Sequence, residues 1–413
     1  HMAREVKLSY TPHVPQDTIL PFDNRPRCIL NSIEGKLTSK KFFAYYFSNN
    51  SYHEVEETAL TENSEWGNST NLRTRHIYYP TTADLVSRGR LNKIVYYNGI
   101  IENYTYQAGN WIQGSTPSTS SFTEGNGGAL KISKSISTEN FPDGIAYKTY
   151  KDVVTYDERG NKVKEEQYVY TGTNYDLLSW KLYVYNSRNQ QTHIYYSDGT
   201  TETYTWNCCN KESYTDREGI QYTYVYDSLN RLVSERKLGI DGNQELVTTY
   251  EYDAKGNKTK ETISIGNEIF IKLYEYNHAG LLTKEIDSTG LTTTYQYIAG
   301  KNSGSQTSGL RTIQTFSNGT QKIFSTYCDK QIESITGNAQ VPKYFKYNVL
   351  PDGIYERIVY NGSDNSSMYH KQYKDGLERI VKEINSSYQN NSETQYFYNN
   401  KGQNWKVSKT GEY

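Results

Sequence analysis

The chain has 413 residues, of which 42 are tyrosine and only two are methionine, and its 45 basic and 46 acidic residues give a net charge of −1. Mixed charges without a basic stripe argue against nucleic-acid binding. No apolar run approaches the roughly 20 residues of a membrane-spanning helix. The usual phosphate-binding, zinc-protease and serine-hydrolase motifs are missing, so we predict no cofactor and no metal site.

Residues 1–75 contain strand-like pieces such as KFFAYYFS but lack the repeat that follows. The terminal unit of a repeat array has to cover an exposed sheet edge, so we expect an N-terminal capping region here. Two Gly/Ser/Thr-rich insertions, which begin at Ala108 and Ala299, are typical of solvated loops.

Residues 76–413 form a tyrosine-rich repeat region, in which the repeats are clear over 150–413. The unit is well represented by TTYEYDAKGNKTKETISIGNEIF, which begins at Thr248. The aromatic residue just before the turn recurs every 20 to 30 residues. These anchors are Tyr156, Tyr185, Trp206, Tyr226, Tyr252, Tyr276, Tyr297, Tyr327, Tyr347, Tyr373 and Tyr398. A period of this length indicates a repeat architecture with one supersecondary element per unit.

Each unit is predicted to be a β-hairpin. Tyrosines at i and i+2 leave the same face of a strand, an Asp or Asn opens the turn, and Gly at the fourth position tolerates a positive φ. One hairpin cannot bury its own tyrosines, so neighbouring hairpins must share an aromatic ladder. We therefore predict an all-β, antiparallel hairpin array, with under about a tenth helix, that curls into a spiral, barrel-like or propeller-like sheet.

The Y-x-Y-D/N-x-x-G pattern resembles the YD-repeat (Rhs-repeat) family of bacterial polymorphic toxins, insecticidal toxin complexes and teneurins. The resemblance implies a hairpin sheet that encloses a protein segment or binds carbohydrate, in an extracellular or cell-envelope setting. The chain lacks the Asp-Pro self-cleavage motif of the shell-forming toxins and stops inside a repeat-like hairpin. We therefore expect either a piece of a larger polypeptide or a stand-alone sheet.

Two sets of residues are candidates for function. Trp111, in the first insertion, and Trp206, at an anchor position, offer flat aromatic faces for carbohydrate binding. Five of the seven histidines have a tyrosine within two positions. Of these, His193 and Tyr195 are the candidate catalytic pair of an alternative function, a lyase that cleaves uronate-containing polysaccharides.

The four cysteines, Cys28, Cys208, Cys209 and Cys328, are too few for a disulfide scaffold. No two of them have the C-x-x-C spacing of a zinc or redox site, and we interpret them as small buried hydrophobic residues.

Overall fold

The computed structural model describes most of the chain. The described residues are 4–9, 28–33, 36–59, 63–114, 116–138, 148–239, 245–299, 308–327, 329–350, 354–375, 378–386, 391–398 and 404–411. Cys328 and most of the insertion that begins at Ala299 lie outside them.

The secondary structure of these residues is almost entirely β. The N-terminal strands are β1 (Arg4–Ser9), β2 (Cys28–Ile33), β3 (Lys36–Ser48), β4 (Ser51–Thr58), β5 (Leu72–Tyr78), β6 (Leu91–Val95), β7 (Ile100–Ile112), β8 (Ser121–Glu124) and β9 (Ala129–Thr138). The next strands are β10 (Lys148–Tyr156), β11 (Lys162–Tyr170), β12 (Tyr175–Tyr185), β13 (Gln191–Tyr196), β14 (Thr201–Trp206), β15 (Lys211–Thr215), β16 (Gln221–Tyr226), β17 (Leu232–Lys237), β18 (Leu246–Tyr252), β19 (Lys258–Ile265) and β20 (Glu268–Tyr276). The last are β21 (Leu282–Ile286), β22 (Thr292–Ala299), β23 (Ser308–Thr315), β24 (Gln321–Tyr327), β25 (Ile332–Thr336), β26 (Lys343–Val349), β27 (Tyr355–Asn361), β28 (Tyr369–Lys374), β29 (Ile380–Ser386), β30 (Asn391–Tyr398) and β31 (Asn404–Gly411). The one helical segment among these residues is a 3-10 turn, Pro117–Thr119.

These 31 strands form one antiparallel sheet in which neighbours along the chain are neighbours in space. β7 departs from the simple order because it pairs with β9 over most of its length and with β8 near its end. The predicted all-β hairpin array is confirmed. Within the described residues, β1 pairs with β2 and β31 with β30, and the curl of the sheet stays a prediction.

The repeated turns follow from the Asp/Asn-x-x-Gly motif. In the turn after β18, the Asp253 side chain accepts hydrogen bonds from the amides of Lys255 and Asn257, both at 2.9 Å. Gly256, with φ +89°, takes the left-handed conformation that the turn needs. The strand register shifts by one residue beside the turn, which is a β-bulge. Asn189 and Asn230 replace the glycine elsewhere and have φ +61°.

Packing is densest near the N-terminal end of the sheet. Glu57, on β4, is completely buried. Its carboxylate accepts hydrogen bonds from the Arg73 side chain at 2.5 Å, the Gly67 amide at 2.8 Å and the Asn71 amide group at 3.2 Å. These bonds compensate for burial of the charge and hold the loop 63–71 against the sheet. Strands β1 to β4 belong to the same sheet, because they pair in order and β4 pairs with β5. Whether residues 1–75 act as a cap stays a prediction.

Packing is much looser in the middle of the array. No described residue between 195 and 333 is fully buried.

One sequence interpretation needs correction. The insertion that begins at Ala108 is not entirely a solvated loop, because its first residues complete β7 and residues 121–124 form β8, which pairs with the end of β7. The backbone hydrogen bonds of this hairpin satisfy groups that a loop would expose to water.

Candidate functional site

Most of the anchors, and the tyrosines two positions before them, lie on one face of the sheet, which we call the tyrosine face. Strand alternation and the strand register place on this side Tyr185, Trp206, Tyr226, Tyr252, Tyr276 and Tyr297. Tyr373 is an exception, because the register pairs Tyr347 with Arg357 and Arg357 with Gln372, which puts Tyr373 on the opposite face. Stacked rings continue the ladder across strands, as in Tyr204–Tyr214 and Tyr214–Tyr222, whose ring centroids lie 5.0 and 5.5 Å apart.

Many anchor side chains tie one hairpin to the preceding one. Each donates a hydrogen bond to a main-chain carbonyl in the strand that follows the preceding turn. The pairs are Tyr185–Lys162, Trp206–Gln191, Tyr252–Leu232, Tyr297–Leu282 and Tyr398–Ile380, at 2.6 to 2.9 Å. Tyr106, on β7 and outside the eleven anchors, makes the same kind of bond to Leu91 at 2.8 Å. Each acceptor lies two residues after a left-handed turn residue. At these positions the β-bulge therefore presents a carbonyl to a long aromatic side chain with a terminal donor.

The tyrosine two positions before the anchor has a different partner, a glutamate of the preceding strand. The hydroxyl–carboxylate pairs are Tyr183–Glu165, Tyr274–Glu261, Tyr295–Glu285 and Tyr396–Glu383, at 2.6 to 3.2 Å. Lys162 and Lys258 lie beside the first two carboxylates, at 2.6 and 2.7 Å. In both cases the lysine lies three residues before the glutamate. This recurring spacing is a sequence signal for the pairs, and sequence reasoning missed it.

These contacts shift the acidities of both partners. Burial raises the pKa of Tyr274 to about 12, with a further contribution from the Glu261 carboxylate. The hydrogen bond from Lys258 lowers the pKa of Glu261. At Glu165 burial acts in the opposite direction, but hydrogen bonds from Lys162 and Tyr183 outweigh it and lower the pKa. Near neutral pH the pairs Tyr274–Glu261 and Tyr183–Glu165 are therefore each a neutral phenol bound to a carboxylate.

A concave basin of about 430 Å³ lies over β7 and β9 to β12. Its lining includes Tyr104, Lys134, Asp152, Gln167 and Ser179, which share the tyrosine face by register. The Lys134 ammonium lies 3.6 Å from the carboxylate of Glu102 and 3.9 Å from that of Asp152. Its charge is therefore balanced within the protein, and the basin offers hydroxyl, amide and carboxylate groups beside an aromatic ring.

The predicted pair His193 and Tyr195 does share one face of β13, as the alternation of the strand requires. Their rings stack 5.7 Å apart with an interplanar angle of 2°. The His193 Nδ1 lies 3.1 Å from the Thr192 hydroxyl. Strand register, however, places both rings on the face opposite the tyrosine face and the basin. The pair is not part of the basin.

The two tryptophans are also separated. Trp206 belongs to the tyrosine face, where its indole N–H donates to the Gln191 carbonyl at 2.6 Å. Trp111 lies near the end of β7 on the opposite side by strand alternation, and its amide donates to the Glu158 carboxylate at 2.9 Å. Both are half-buried. The structure therefore does not bring the predicted carbohydrate-binding and catalytic residues into one site.

The interpretation of the cysteines as buried hydrophobic residues is wrong for two of the three that the structure describes. Cys28 is buried, but Cys208 and Cys209 are exposed because they form the tip of a hairpin.

Within the described residues, no group of three or more His, Cys, Asp and Glu side chains is placed to hold a metal ion. No helix in this part of the chain has the length and apolarity to cross a membrane.

Comparison with known proteins gives a remote structural similarity. No family model and no curated protein sequence matches the chain. A crystal structure of TcdB2-TccC3-Cdc42 is similar over 93% of this chain and 26% of that chain, with a TM-score of 0.33 and 11% identity. The Photorhabdus luminescens Tc holotoxin pore is similar over 94% of this chain and 26% of that chain, with a TM-score of 0.28 and 11% identity.

A porin-like protein from Bacteroides uniformis is similar over 63% of this chain and 94% of that chain, with a TM-score of 0.22 and 12% identity. The chain spans about a quarter of the length of the toxin chains it matches. Because all three TM-scores are low, membership of the YD-repeat family stays a proposal that rests on the repeat motif.

Proposed function

We propose that the protein is a binding scaffold, in which the tyrosine face of a long hairpin sheet holds a carbohydrate chain without chemical change. The observation that carries the proposal is the basin of about 430 Å³ on that face. Small-molecule sites are concave, with an apolar or aromatic wall and a few placed polar groups, and the basin has this composition. Tyr104 supplies the ring, and Gln167 and Ser179 supply polar groups suited to sugar hydroxyls.

The charges of the basin favour a neutral glycan over an acidic one. Lys134 already faces two carboxylates, and the lining also contains the Glu165 carboxylate, which is paired with Lys162. A uronate carboxylate would meet like charge there, which is unfavourable. The same argument counts against the alternative function, a lyase for uronate-containing polysaccharides. Its candidate pair, His193 and Tyr195, lies on the other face.

The test compares two matched variants. Gln167→Trp fills the basin, whereas Gln296→Trp places the same ring at an exposed glutamine on the opposite face of β22. Affinity electrophoresis in gels containing neutral polysaccharides should show retardation of the wild type and of Gln296→Trp, and free migration of Gln167→Trp. Equal retardation of both variants would exclude the basin as the site.

Two other outcomes would redirect the assignment. Retention of an unfolded polypeptide such as carboxymethylated casein, without retention of any glycan, would favour a scaffold that encloses a protein segment. Ultraviolet absorbance from unsaturated products on polygalacturonate or alginate, lost in His193→Ala, would establish the lyase.

We also propose an extracellular or cell-envelope location, which an export signal on the natural gene product would support and cytosolic retention of that product would refute.

A further inference from the structure

Cys208 and Cys209 form the whole tip of the hairpin between β14 and β15. The Asn207 amide donates to the Asn210 carbonyl at 3.1 Å, which leaves only the two cysteines between them. The corresponding bond in another repeat joins Asp253 to Asn257, one residue further along the chain. No residue of 207–210 has a positive φ. This hairpin has therefore lost one turn residue and the left-handed position of the repeat.

The shortened turn is held firmly although its thiols are exposed. The Asn207 side chain accepts hydrogen bonds from the amides of Cys209, at 2.9 Å, and Asn210, at 2.8 Å. On one side Gln190 donates to the Cys208 carbonyl at 3.2 Å. On the other, the Asn210 side chain donates to the Asn230 side chain at 2.9 Å. The tip is thus fixed to both neighbouring turns.

Within this turn the two sulfur atoms lie 2.8 Å apart. Both side chains are exposed, so a dissolved disulfide can reach them. We propose that Cys208 and Cys209 form a two-electron thiol–disulfide site that closes to an intramolecular disulfide by exchange with a low-molecular-weight disulfide such as glutathione disulfide.

The exchange balances in two steps. One cysteine thiolate attacks a sulfur of glutathione disulfide, forms a mixed disulfide and releases one glutathione thiolate. The second cysteine thiolate then attacks the cysteine sulfur of that mixed disulfide and releases the second glutathione. The protein loses two electrons and two protons, and glutathione disulfide is reduced to two thiols.

The product should be easy to reduce. Consecutive Cα atoms lie about 3.8 Å apart across a trans peptide, which is shorter than the roughly 4.4 to 6.8 Å usual for a disulfide. Such a bridge is strained, and strained or exposed disulfides are the labile ones. The site is therefore a reversible switch at a turn and not a structural crosslink.

Peptide mass spectrometry on the full chain tests this directly. The reduced protein is incubated with glutathione disulfide, alkylated and digested with trypsin. The tryptic peptide 189–211 contains both cysteines and neither of the other two. We expect it unalkylated, free of glutathione and lighter by two hydrogens than the reduced form, with double alkylation restored by reduced glutathione or dithiothreitol.

The single variants Cys208→Ser and Cys209→Ser are the matched controls, because each keeps one exposed thiol on the same turn. Each should stop at the glutathione mixed disulfide. The proposal is overturned if the wild-type peptide carries glutathione, if it is alkylated on both cysteines after oxidation, or if it is crosslinked to a second copy of the chain on a non-reducing gel.

Discussion

The hydroxyl of Tyr252 lies 2.7 Å from the main-chain carbonyl of Leu232, the first residue of β17 in the preceding hairpin. The same geometry recurs at other anchors and links hairpin to hairpin without a buried core. The repeated anchor tyrosine should therefore stabilise the folded sheet, because its hydroxyl donates a hydrogen bond to a carbonyl that the β-bulge leaves available.

Tyr252→Phe should remove this bond while keeping the ring. We expect a loss of about 1 kcal/mol in the free energy of unfolding, the typical net contribution of one hydrogen bond. Equilibrium urea unfolding followed by far-ultraviolet circular dichroism measures it. Tyr226→Phe is the control, since its hydroxyl makes no hydrogen bond within the described part of the chain. Equal losses in both variants would refute the role of the hydroxyl.

Stability should decrease in acid through the carboxylates of the tyrosine face. The pKa of Glu261 is lowered from its ordinary value of 4.5, first by the hydrogen bond from Lys258. A lowered folded-state pKa contributes stability that is complete above 4.5 and is lost as pH falls through the folded value.

The stability difference between wild type and Glu261→Gln should therefore be largest near neutral pH and shrink below pH 4.5, as measured by urea unfolding at each pH. Glu251→Gln, at an exposed position on the opposite face, is the control and should change stability much less. A difference for Glu261→Gln that is independent of pH would contradict the prediction.

In alkali the tyrosines should resist ionisation while the sheet is folded. Burial is the main cause that raises the pKa of Tyr196, Tyr224, Tyr274 and Tyr327 to about 12. Raised folded-state values contribute stability that is complete below the ordinary pKa of 10 and is lost as pH rises towards 12. Phenolate absorbance of the folded protein should therefore lag behind that of a tyrosine model compound. Coincident titration curves would exclude the effect.

The left-handed turn position gives a prediction that is free of packing effects. At Gly256 a Cβ atom would meet nothing within 4 Å, but the φ of +89° strains any L residue. Gly256→Ala should cost about 1 to 2 kcal/mol in unfolding free energy. Gly256→Asn should cost less, because Asn189 and Asn230 occupy the equivalent position in other turns. Thermal unfolding of both variants checks the order, and an alanine variant as stable as the asparagine variant would contradict it.

The sequence by itself determined the hairpins, because their signals are local. Alternating aromatics, an Asp or Asn that accepts amide hydrogen bonds, and a left-handed Gly or Asn fix each turn within a few residues. The period of the anchors then predicts stacking of similar units, and the anchors at Tyr156, Tyr185 and Tyr252 do end their strands.

Only the tertiary structure decided which of these residues meet. Strand register, which a shift of one residue reverses, places His193 and Tyr195 on one face and the basin on the other. The pairing of Tyr274 with Glu261 depends on contact between separate hairpins. The position of Cys208 and Cys209 at a hairpin tip exposes thiols that composition alone assigned to the interior, because burial depends on position in the fold and not on residue type.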